Sequence, residues 1–517
     1  MLTKIRVENY KGFREAEIPI KPITVLLGAN SSGKSSMLQL LLLLQQTAEE
    51  TSVSYKSALK IFGNRISVGK VENLFYGLNG KKPISIQIDF INELLKSYLA
   101  DALSSYLAHS MMFYKKGSET NNRSEVEMYF NKVLNNTDNS FIEAYAFLSD
   151  FISTEDVKYK NIQSLMLNYD FLNNLHDNVK ATTFSFSYTI SYFRKQLVVS
   201  AFSFKNENIS ILSYNESDGF SSDMIDLNDT DKASLNVAFL KDSTIFNIFS
   251  KRENHRRSHN GIETSLSKTM INIINKGLSI LQNEFKEPLI NHVGPLRAHP
   301  QRYYMLDKAN VTYSLDTYDA NAIAEVIKDK QALKDRVNKW FEQFGLEVTV
   351  EEFKEAVHKL TVRQSNLPLD IPDVGFGVSQ VLPVVMQGFL SPNKSVTIVE
   401  QPEVHLHPKM QASLADLFID ITKEAKYSKH LLIETHSEYL LKRLRRRMAE
   451  GEDISPDNVS INLFHSRTEK KPAIIENLLI EDRGYFDWPE EYYDGELSND
   501  TNVFLKLQAD GDIYSDN

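Results

Sequence analysis

Eight residues near the start of the chain have the spacing of a phosphate-binding loop. Residues 28–35 read GANSSGKS, which fits the pattern G-x-x-x-x-G-K-[ST]. Glycines let the backbone curl so that successive N–H groups point at phosphate oxygens, and a following helix adds its positive end. Lys34 would reach the β- and γ-phosphates, and the Ser35 hydroxyl would ligate Mg²⁺. The residues expected to contact a nucleotide here are Gly28, Asn30, Ser31, Ser32, Gly33, Lys34, Ser35 and Ser36.

A buried-strand pattern far along the chain ends in acidic residues. The apolar run 396–399 is followed by Glu400, Gln401, a proline and Glu403. Glu400 would be the second magnesium ligand, directly or through water. Gln401 can orient a water molecule but cannot accept its proton, and Glu403 could supply the missing carboxylate after the proline bend. Three outcomes stay open: normal hydrolysis through Glu400 or Glu403, slow hydrolysis through Gln401, or ATP binding with almost no turnover.

Two further segments carry candidate residues for the same chemistry. The apolar run 431–433 leads into Glu434-Thr435-His436, and His436 could contact the γ-phosphate or the attacking water, although a histidine at a strand end is often structural. Residues 373–380, DVGFGVSQ, place Gly377 and Ser379 at a helix start. Such an N-terminus is a second anion site, or else an ordinary helix cap.

The elements needed to position these residues can be predicted from hydrophobic periodicity. Residues 22–27 form a short buried-strand pattern, and residues 37–46 form a very apolar helix. From residue 374 onward, helical patterns alternate with strand patterns at 396–400, 430–434 and 459–464. This alternation favours a parallel sheet with packed helices. Alternating patterns at 183–190, 196–204 and 209–214 predict an antiparallel meander, which a helical segment at 91–180 interrupts.

Composition limits the class of protein. The chain has 517 residues, a net charge of −10 and no cysteine, which excludes disulfides and thiol catalysis. The absence of any run of ~20 apolar residues argues against a membrane span, so we expect a cytoplasmic protein. Because the overall charge is negative, nucleic acid would have to contact local basic clusters. The candidates are Arg443, Arg445, Arg446, Arg447, Arg256 and Arg257. The alternative for the first four is favourable placement of cations near a helix carboxyl end.

The order of the four motifs resembles that of ABC-type ATPases: phosphate loop, signature, acidic strand and switch histidine. The long gap after the first motif resembles the SMC, RecF and OLD-like branch. The segments GVSQVLPVV, VEQPEVHLHP, ETHSEYLL, VGPLRAHPQRYY and FDWPEEYYD resemble defence-associated ATPases of that branch, including the ATPase subunit of Septu-type systems. That subunit also occurs with some retrons, beside an HNH nuclease. The resemblance covers residues 1–90 and 290–495.

The resemblance implies a fold of the α/β class, an ABC-type P-loop ATPase head with a mixed sheet, packed helices, an antiparallel β subdomain and a helical insertion. The expected divisions are 1–90 for the first half of the head, 91–180 for the helical insertion, 181–290 for antiparallel strands and a helical arm, 291–480 for the second half of the head, and 481–517 for an acidic tail.

The resemblance also implies function. ATP and Mg²⁺ would be bound in a head-to-tail dimer, in which Lys34, Ser35 and Glu400 of one copy face Gly377 and Ser379 of another. Such an ATPase would be a sensor subunit of anti-phage defence that controls a partner nuclease, in the retron version together with a reverse transcriptase and its DNA or RNA.

Three other functions are alternatives to this one. One is a RecF-like ATPase of DNA repair, and a weaker one is the nucleotide-binding subunit of a transporter. The third is an OLD-like ATPase-nuclease, which is disfavoured because only about 80 residues follow His436.

Overall fold

The computed structural model describes residues 1–52, 55–103, 106, 159–250, 264–305, 315, 319–354, 357–364, 367–468 and 471–487. The chain divides into two compact units. The phosphate-loop unit comprises Leu2–Glu49, Phe62–Leu78 and Glu284–Asn517. The inserted unit comprises Met1, Glu50–Ile61 and Asn79–Asn283.

Strands and helices are numbered in chain order within the described residues. The strands are β1 Leu2–Tyr10, β2 Phe13–Pro19, β3 Ile23–Gly28, β4 Ile84–Ile91, β5 Thr183–Phe193, β6 Gln196–Asn206, β7 Ile209–Asn215, β8 Gly219–Ser221, β9 Ile290–Val293, β10 Tyr304–Met305, β11 Leu346–Lys354, β12 Val357–Gln364, β13 Leu367–Asp370, β14 Val396–Glu400, β15 His430–Glu434, β16 Val459–His465 and β17 Ile474–Leu478. The helices are α1 Lys34–Ala48, α2 Glu93–Ala100, α3 Tyr159–Asn178, α4 Asp229–Ala238, α5 Ser265–Phe285, α6 Ala320–Asp329, α7 Gln331–Glu342, α8 Phe376–Leu390, α9 Pro408–Glu424 and α10 Glu438–Glu450.

The main sheet of the phosphate-loop unit has the strand order β17-β16-β3-β15-β14-β9 in the described residues. All of its pairings are parallel except that of β16 with β17. Strands β3 and β15 are buried along their whole length, as expected for central parallel strands covered on both faces. Glu434 lies opposite Leu26 on one side and opposite Glu400 on the other. The register therefore places the carboxyl ends of β3, β15 and β14 side by side.

Helices complete the core of this unit. Leu40 and Leu43 of α1 are fully buried, as expected from its apolar run. Val385 of α8 and Leu414 of α9 are buried in the same way, and they belong to one cluster with residues of β3 and β15. A smaller antiparallel sheet in this unit has the order β10-β12-β11, with β13 paired to β12. The predicted α/β class, with a mixed sheet, packed helices and antiparallel strands, is confirmed.

The inserted unit contains the antiparallel strands β4 to β8, each paired with the next. Inward-facing aromatic rings form its core: Phe186 and Phe204 stack with centroids 4.3 Å apart. Gly277 of α5 packs against both rings, because a Cβ there would lie 3.2 Å from each. Of the predicted helical segment 91–180, α2 and α3 belong to the described part, and 107–158 lie outside it. In the described residues, no helix is both long and apolar enough to cross a bilayer.

Candidate nucleotide-binding site

The predicted phosphate loop joins β3 to α1. Its backbone needs both motif glycines, since Gly28 has φ 141° and Gly33 has φ 107°, values that L side chains rarely adopt. Space imposes the same requirement. A Cβ on Gly28 would lie 2.5 Å from the Phe464 carbonyl oxygen, and one on Gly33 would lie 2.5 Å from Phe13 Cζ. The loop is therefore held tightly between β16 and the start of β2.

Lys34 is the first residue of α1, and it is 3 % exposed. Its ammonium donates to the carbonyl oxygens of Gly28 at 2.8 Å and Ala29 at 3.0 Å. Glu434 Oε1 lies 3.8 Å away. Burial lowers the pKa of Lys34, whereas the charges of Glu434 and Glu403 raise it. The lysine is thus a cation held within the loop by carbonyl oxygens and an acid.

Ser32 and Ser35 present hydroxyl groups on the same loop. The Ser35 hydroxyl donates to Glu434 Oε2 at 3.3 Å. Ser32 is 1 % exposed, and its hydroxyl has no hydrogen-bond partner among the described residues. A buried hydroxyl without a partner is costly, so the Ser32 hydroxyl is a candidate donor to a polar ligand at this loop.

Glu434 contacts the predicted phosphate loop through Ser35 and Lys34, and no role for it was predicted from the sequence. It ends β15, the strand directly beside β3, and it is 5 % exposed. Burial raises the pKa of Glu434, as does the neighbouring charge of Glu400, whereas Lys34 and the Ser35 hydroxyl lower it. The sequence shows that Glu434 follows an apolar run, but it does not show that β15, which Glu434 ends, lies between β3 and β14.

Glu400 ends β14, which lies one strand farther from β3 than β15 does. Its carboxylate contacts His292, whereas that of Glu434 contacts Ser35 and Lys34. Glu400 Oε1 lies 2.6 Å from Nε2 of His292, which is on β9. Arg297 donates to the main-chain oxygens of Glu400 at 2.8 Å and Gln401 at 3.3 Å. Gln401 itself has φ 44°, and its N–H donates to the Glu434 carbonyl at 2.7 Å. Arg297 belongs to the segment VGPLRAHPQRYY, which was identified only by its family resemblance, and His292 directly precedes that segment.

Glu403 holds the segment that carries His436. Its two carboxylate oxygens accept from the Thr435 hydroxyl at 2.7 Å and the His436 N–H at 2.6 Å. Burial raises the pKa of Glu403, and these hydrogen bonds lower it. Burial, together with the charge of Lys34, lowers the pKa of His436 and so favours its neutral form. The structure thus brings Glu403 and His436 together.

Gly377 and Ser379 lie on the first turn of α8. A Cβ on Gly377 would lie 2.9 Å from the His405 carbonyl oxygen, so α8 starts close against the loop after β14. Arg297 strengthens this link, because it also donates to the Gln380 carbonyl at 3.0 Å. None of the contacts described for Lys34 and Ser35 involves Gly377 or Ser379. These residues lie at the end of α8 that faces the loop after β14.

The basic residues of α10 have partners within the chain. Asp416 accepts from Arg443 at 2.6 Å and from Arg447 at 2.7 Å. Arg446 pairs with Glu450 at 2.8 Å. The Arg445 guanidinium lies over the rings of residues 485 and 486. The other basic candidates, Arg256 and Arg257, lie outside the described residues.

The few oxygen ligands at this loop fit a magnesium ion bound together with a nucleotide better than a metal ion held by protein side chains alone. Within the described ranges, no group of three or more His, Asp or Glu side chains is arranged to hold a metal. Magnesium in nucleotide sites takes one or two protein oxygens and completes its shell with phosphate and water. Ser35 and an adjacent carboxylate would meet that requirement, and Mg²⁺ would neutralise charge on the β- and γ-phosphates.

A parallel sheet with a glycine-backed loop between a central strand and a helix defines a P-loop nucleotide-binding protein. Residues 1–441 match the family described as AAA ATPase domain. That match covers most of the sequence, so the chain belongs to this family.

Solved structures of SMC heads are also similar to the chain. A crystal structure of an SMC head bound to the C-winged helix domain of ScpA has 9 % identity and a TM-score of 0.38, with 93 % of this chain and 98 % of that chain covered. The SMC head domain from Thermotoga maritima has 8 % identity and a TM-score of 0.35, with 93 % and 99 % covered. No curated protein matches the sequence significantly.

Proposed function

We propose that the protein is an ATP-driven switch, which binds ATP with magnesium at residues 28–36 and hydrolyses it slowly. The observation that carries this proposal is the convergence of Lys34, Ser35 and Glu434 at one loop, although Glu434 lies 399 positions from Ser35. A cation, a hydroxyl and a carboxylate at the positive end of a helix are the groups that a bound nucleotide with magnesium requires.

The chain's own residues would divide the work of the site. Loop N–H groups and the Ser32 hydroxyl bind phosphate oxygens, and Lys34 exchanges its carbonyl partners for the phosphates. Gln401 orients water, and neutral His436 contacts the γ-phosphate or that water. Glu403 is already bonded to Thr435 and His436, which supports a positioning role for it. Slow turnover follows, because Gln401 cannot accept the proton of water.

The switch would act through a second copy of the chain. Gly377 and Ser379 would contact the nucleotide of a facing copy in a head-to-tail dimer that forms with ATP. The close contact between the start of α8 and the loop after β14 supports this, because a change at Glu400 would reach Gly377 through few atoms.

The proposed role of the switch is that of a sensor subunit in anti-phage defence, which controls a separate HNH-type nuclease and works in some systems with a reverse transcriptase and its nucleic acid. Support comes from the motifs at 377–385, 399–408 and 434–441, which resemble such ATPases. Phage plating on cells that express the chain with its neighbouring genes tests this role. Unchanged plating together with sensitivity to DNA damage on deletion would instead favour a RecF-like repair ATPase.

Nucleotide binding can be tested with two matched lysines. Lys34 and Lys429 are both buried, both have a pKa lowered by burial, and both donate to main-chain carbonyls. We expect Lys34→Met to lose ATP affinity by about tenfold or more in isothermal titration, since one charge-assisted contact contributes ~1.5–3 kcal/mol. Lys429→Met should keep the wild-type affinity. Equal affinities in all three proteins would refute the proposed site.

A further inference from the structure

We propose that Glu434, and not Glu400, is the carboxylate that faces the magnesium ion of bound ATP. This inference rests on the proposed function, because it requires that the loop at residues 28–36 binds ATP. It assigns the ion to the end of β15, whereas the sequence pattern assigns it to the end of β14.

The first argument is contact with the hydroxyl that is expected to ligate the ion. Ser35 Oγ donates to Glu434 Oε2 at 3.3 Å, and the other oxygen of Glu434 lies 3.8 Å from Lys34 Nζ. An ion bound by the Ser35 hydroxyl would therefore lie within reach of Glu434. The unpartnered, buried hydroxyl of Ser32 belongs to the same loop, which independently indicates a polar ligand at this loop.

The second argument is strand order. In the order β3-β15-β14-β9, Glu434 ends the strand next to the phosphate loop, and Glu400 ends the strand after it. Neighbouring strands lie about 4.8 Å apart, so Glu400 starts about one strand spacing farther from β3 than Glu434 does. Glu434 is also level with Leu26, two residues before the loop begins at Gly28.

The third argument is that Glu400 has another partner. Its carboxylate is bonded to His292, which lies on β9, the strand on the far side of β14 from β15. Its main chain is fixed by Arg297. Glu400 Oε1 thus contacts β9, on the side of β14 away from β3, whereas Glu434 Oε2 already contacts the Ser35 hydroxyl.

The fourth argument is charge. Glu434 is 5 % exposed, and Lys34 Nζ lies 3.8 Å from its carboxylate. If Lys34 turns to the phosphates, Glu434 loses its cation. A divalent ion at Ser35 would replace that lost positive charge beside the buried carboxylate.

The test compares Glu434→Gln with its matched control, Glu400→Gln. Both replacements keep side-chain length and remove one charge. The affinity for ATP is measured by isothermal titration with excess Mg²⁺ and again with EDTA, and the ratio of the two affinities is the magnesium gain. We expect a wild-type gain of about tenfold or more, a gain below about threefold in Glu434→Gln, and a wild-type gain in Glu400→Gln.

A spectroscopic measurement separates loss of the ion from loss of the fold. Mn²⁺ bound with ATP is followed by electron paramagnetic resonance, and circular dichroism checks each variant. Glu434→Asp keeps the charge on a shorter chain and should recover part of the magnesium gain. If Glu434→Gln does not fold, Glu434→Asp decides the assignment. The assignment then requires that the magnesium gain of Glu434→Asp is lower than that of Glu400→Gln.

The possible outcomes are distinct. If Glu400→Gln loses the magnesium gain and Glu434→Gln keeps it, the assignment is reversed. Loss in both variants, or retention in both, equally overturns the claim that Glu434 alone faces the ion. If the wild-type protein binds no ATP with or without magnesium, the proposed function itself fails, which differs from every other result.

Discussion

Replacement of Arg297 by methionine should both destabilise the phosphate-loop unit and slow ATP turnover. Arg297 is 5 % exposed, and it joins three main-chain oxygens from two segments: Gln380 on α8, and Glu400 and Gln401 at the end of β14. Methionine has a similar length and fills the space, but it donates no hydrogen bond. The substitution therefore removes the hydrogen bonds that join the start of α8 to the end of β14, while the side-chain packing is largely kept.

The magnitude follows from the geometry. The bonds at 3.0 and 2.8 Å are of normal length, and the third, at 3.3 Å, is weak. Two charge-assisted bonds contribute ~3–6 kcal/mol in total. Burial lowers the pKa of Arg297 to about 10, so part of this gain is offset by the cost of burying the guanidinium. We expect a net loss of about 2–4 kcal/mol in the free energy of unfolding.

Urea unfolding followed by tryptophan fluorescence measures this loss. The sequence has two tryptophans, so a Trp488→Phe background leaves Trp340, which is buried in α7 of the same unit. The control is Arg302→Met, five positions away, where the side chain is 54 % exposed and pairs with Asp370 and Asp373. Exposed pairs contribute little to stability. Equal unfolding midpoints for the two variants would refute the reasoning.

Two other predictions follow from backbone strain and from proton binding. Gly33→Ala should abolish ATP binding in isothermal titration, because its Cβ would lie 2.5 Å from Phe13. The control is Gly451→Ala, which also has a positive φ but open space around its Cβ, and it should bind ATP normally. Normal binding by both variants would contradict the tight packing of the loop. Burial lowers the pKa of His430 from 6.5 to about 4, so the unfolded chain takes up the proton first. Stability should therefore fall by about 3 kcal/mol more in wild type than in His430→Asn as pH drops from 6.5 to 4, and parallel denaturation curves would contradict this.

Local patterns predicted much of this molecule. The spacing of glycines, lysine and serine predicted a tight loop that opens a helix, and the structure has such a loop between β3 and α1. The strand patterns at 396–400 and 430–434 have those same bounds in the structure. Continuous apolar runs predict buried parallel strands, and both faces of β3 and β15 are indeed covered.

The position of Glu434 could not be predicted in this way. Sequence order gives β14 before β15, but it does not state which of them lies beside β3. That choice depends on pairing between segments about 400 positions apart, for which no local pattern exists. The contacts of His292 with Glu400 and of Arg297 with Gln380 likewise depend on side-chain direction at neighbouring strand ends. Only the resulting fold could identify these partners.

The three carboxylates of the site are not interchangeable, because each has a different partner. Glu434 contacts Ser35 and Lys34, Glu400 contacts His292, and Glu403 accepts from Thr435 and His436. A site that simply needed negative charge near magnesium would tolerate the loss of any one acid equally. We therefore propose separate losses: ion binding for Glu434, the contact with His292 on β9 for Glu400, and the position of His436 for Glu403. The rate of hydrolysis then depends on which strand end holds each acid more than on how many acids are present.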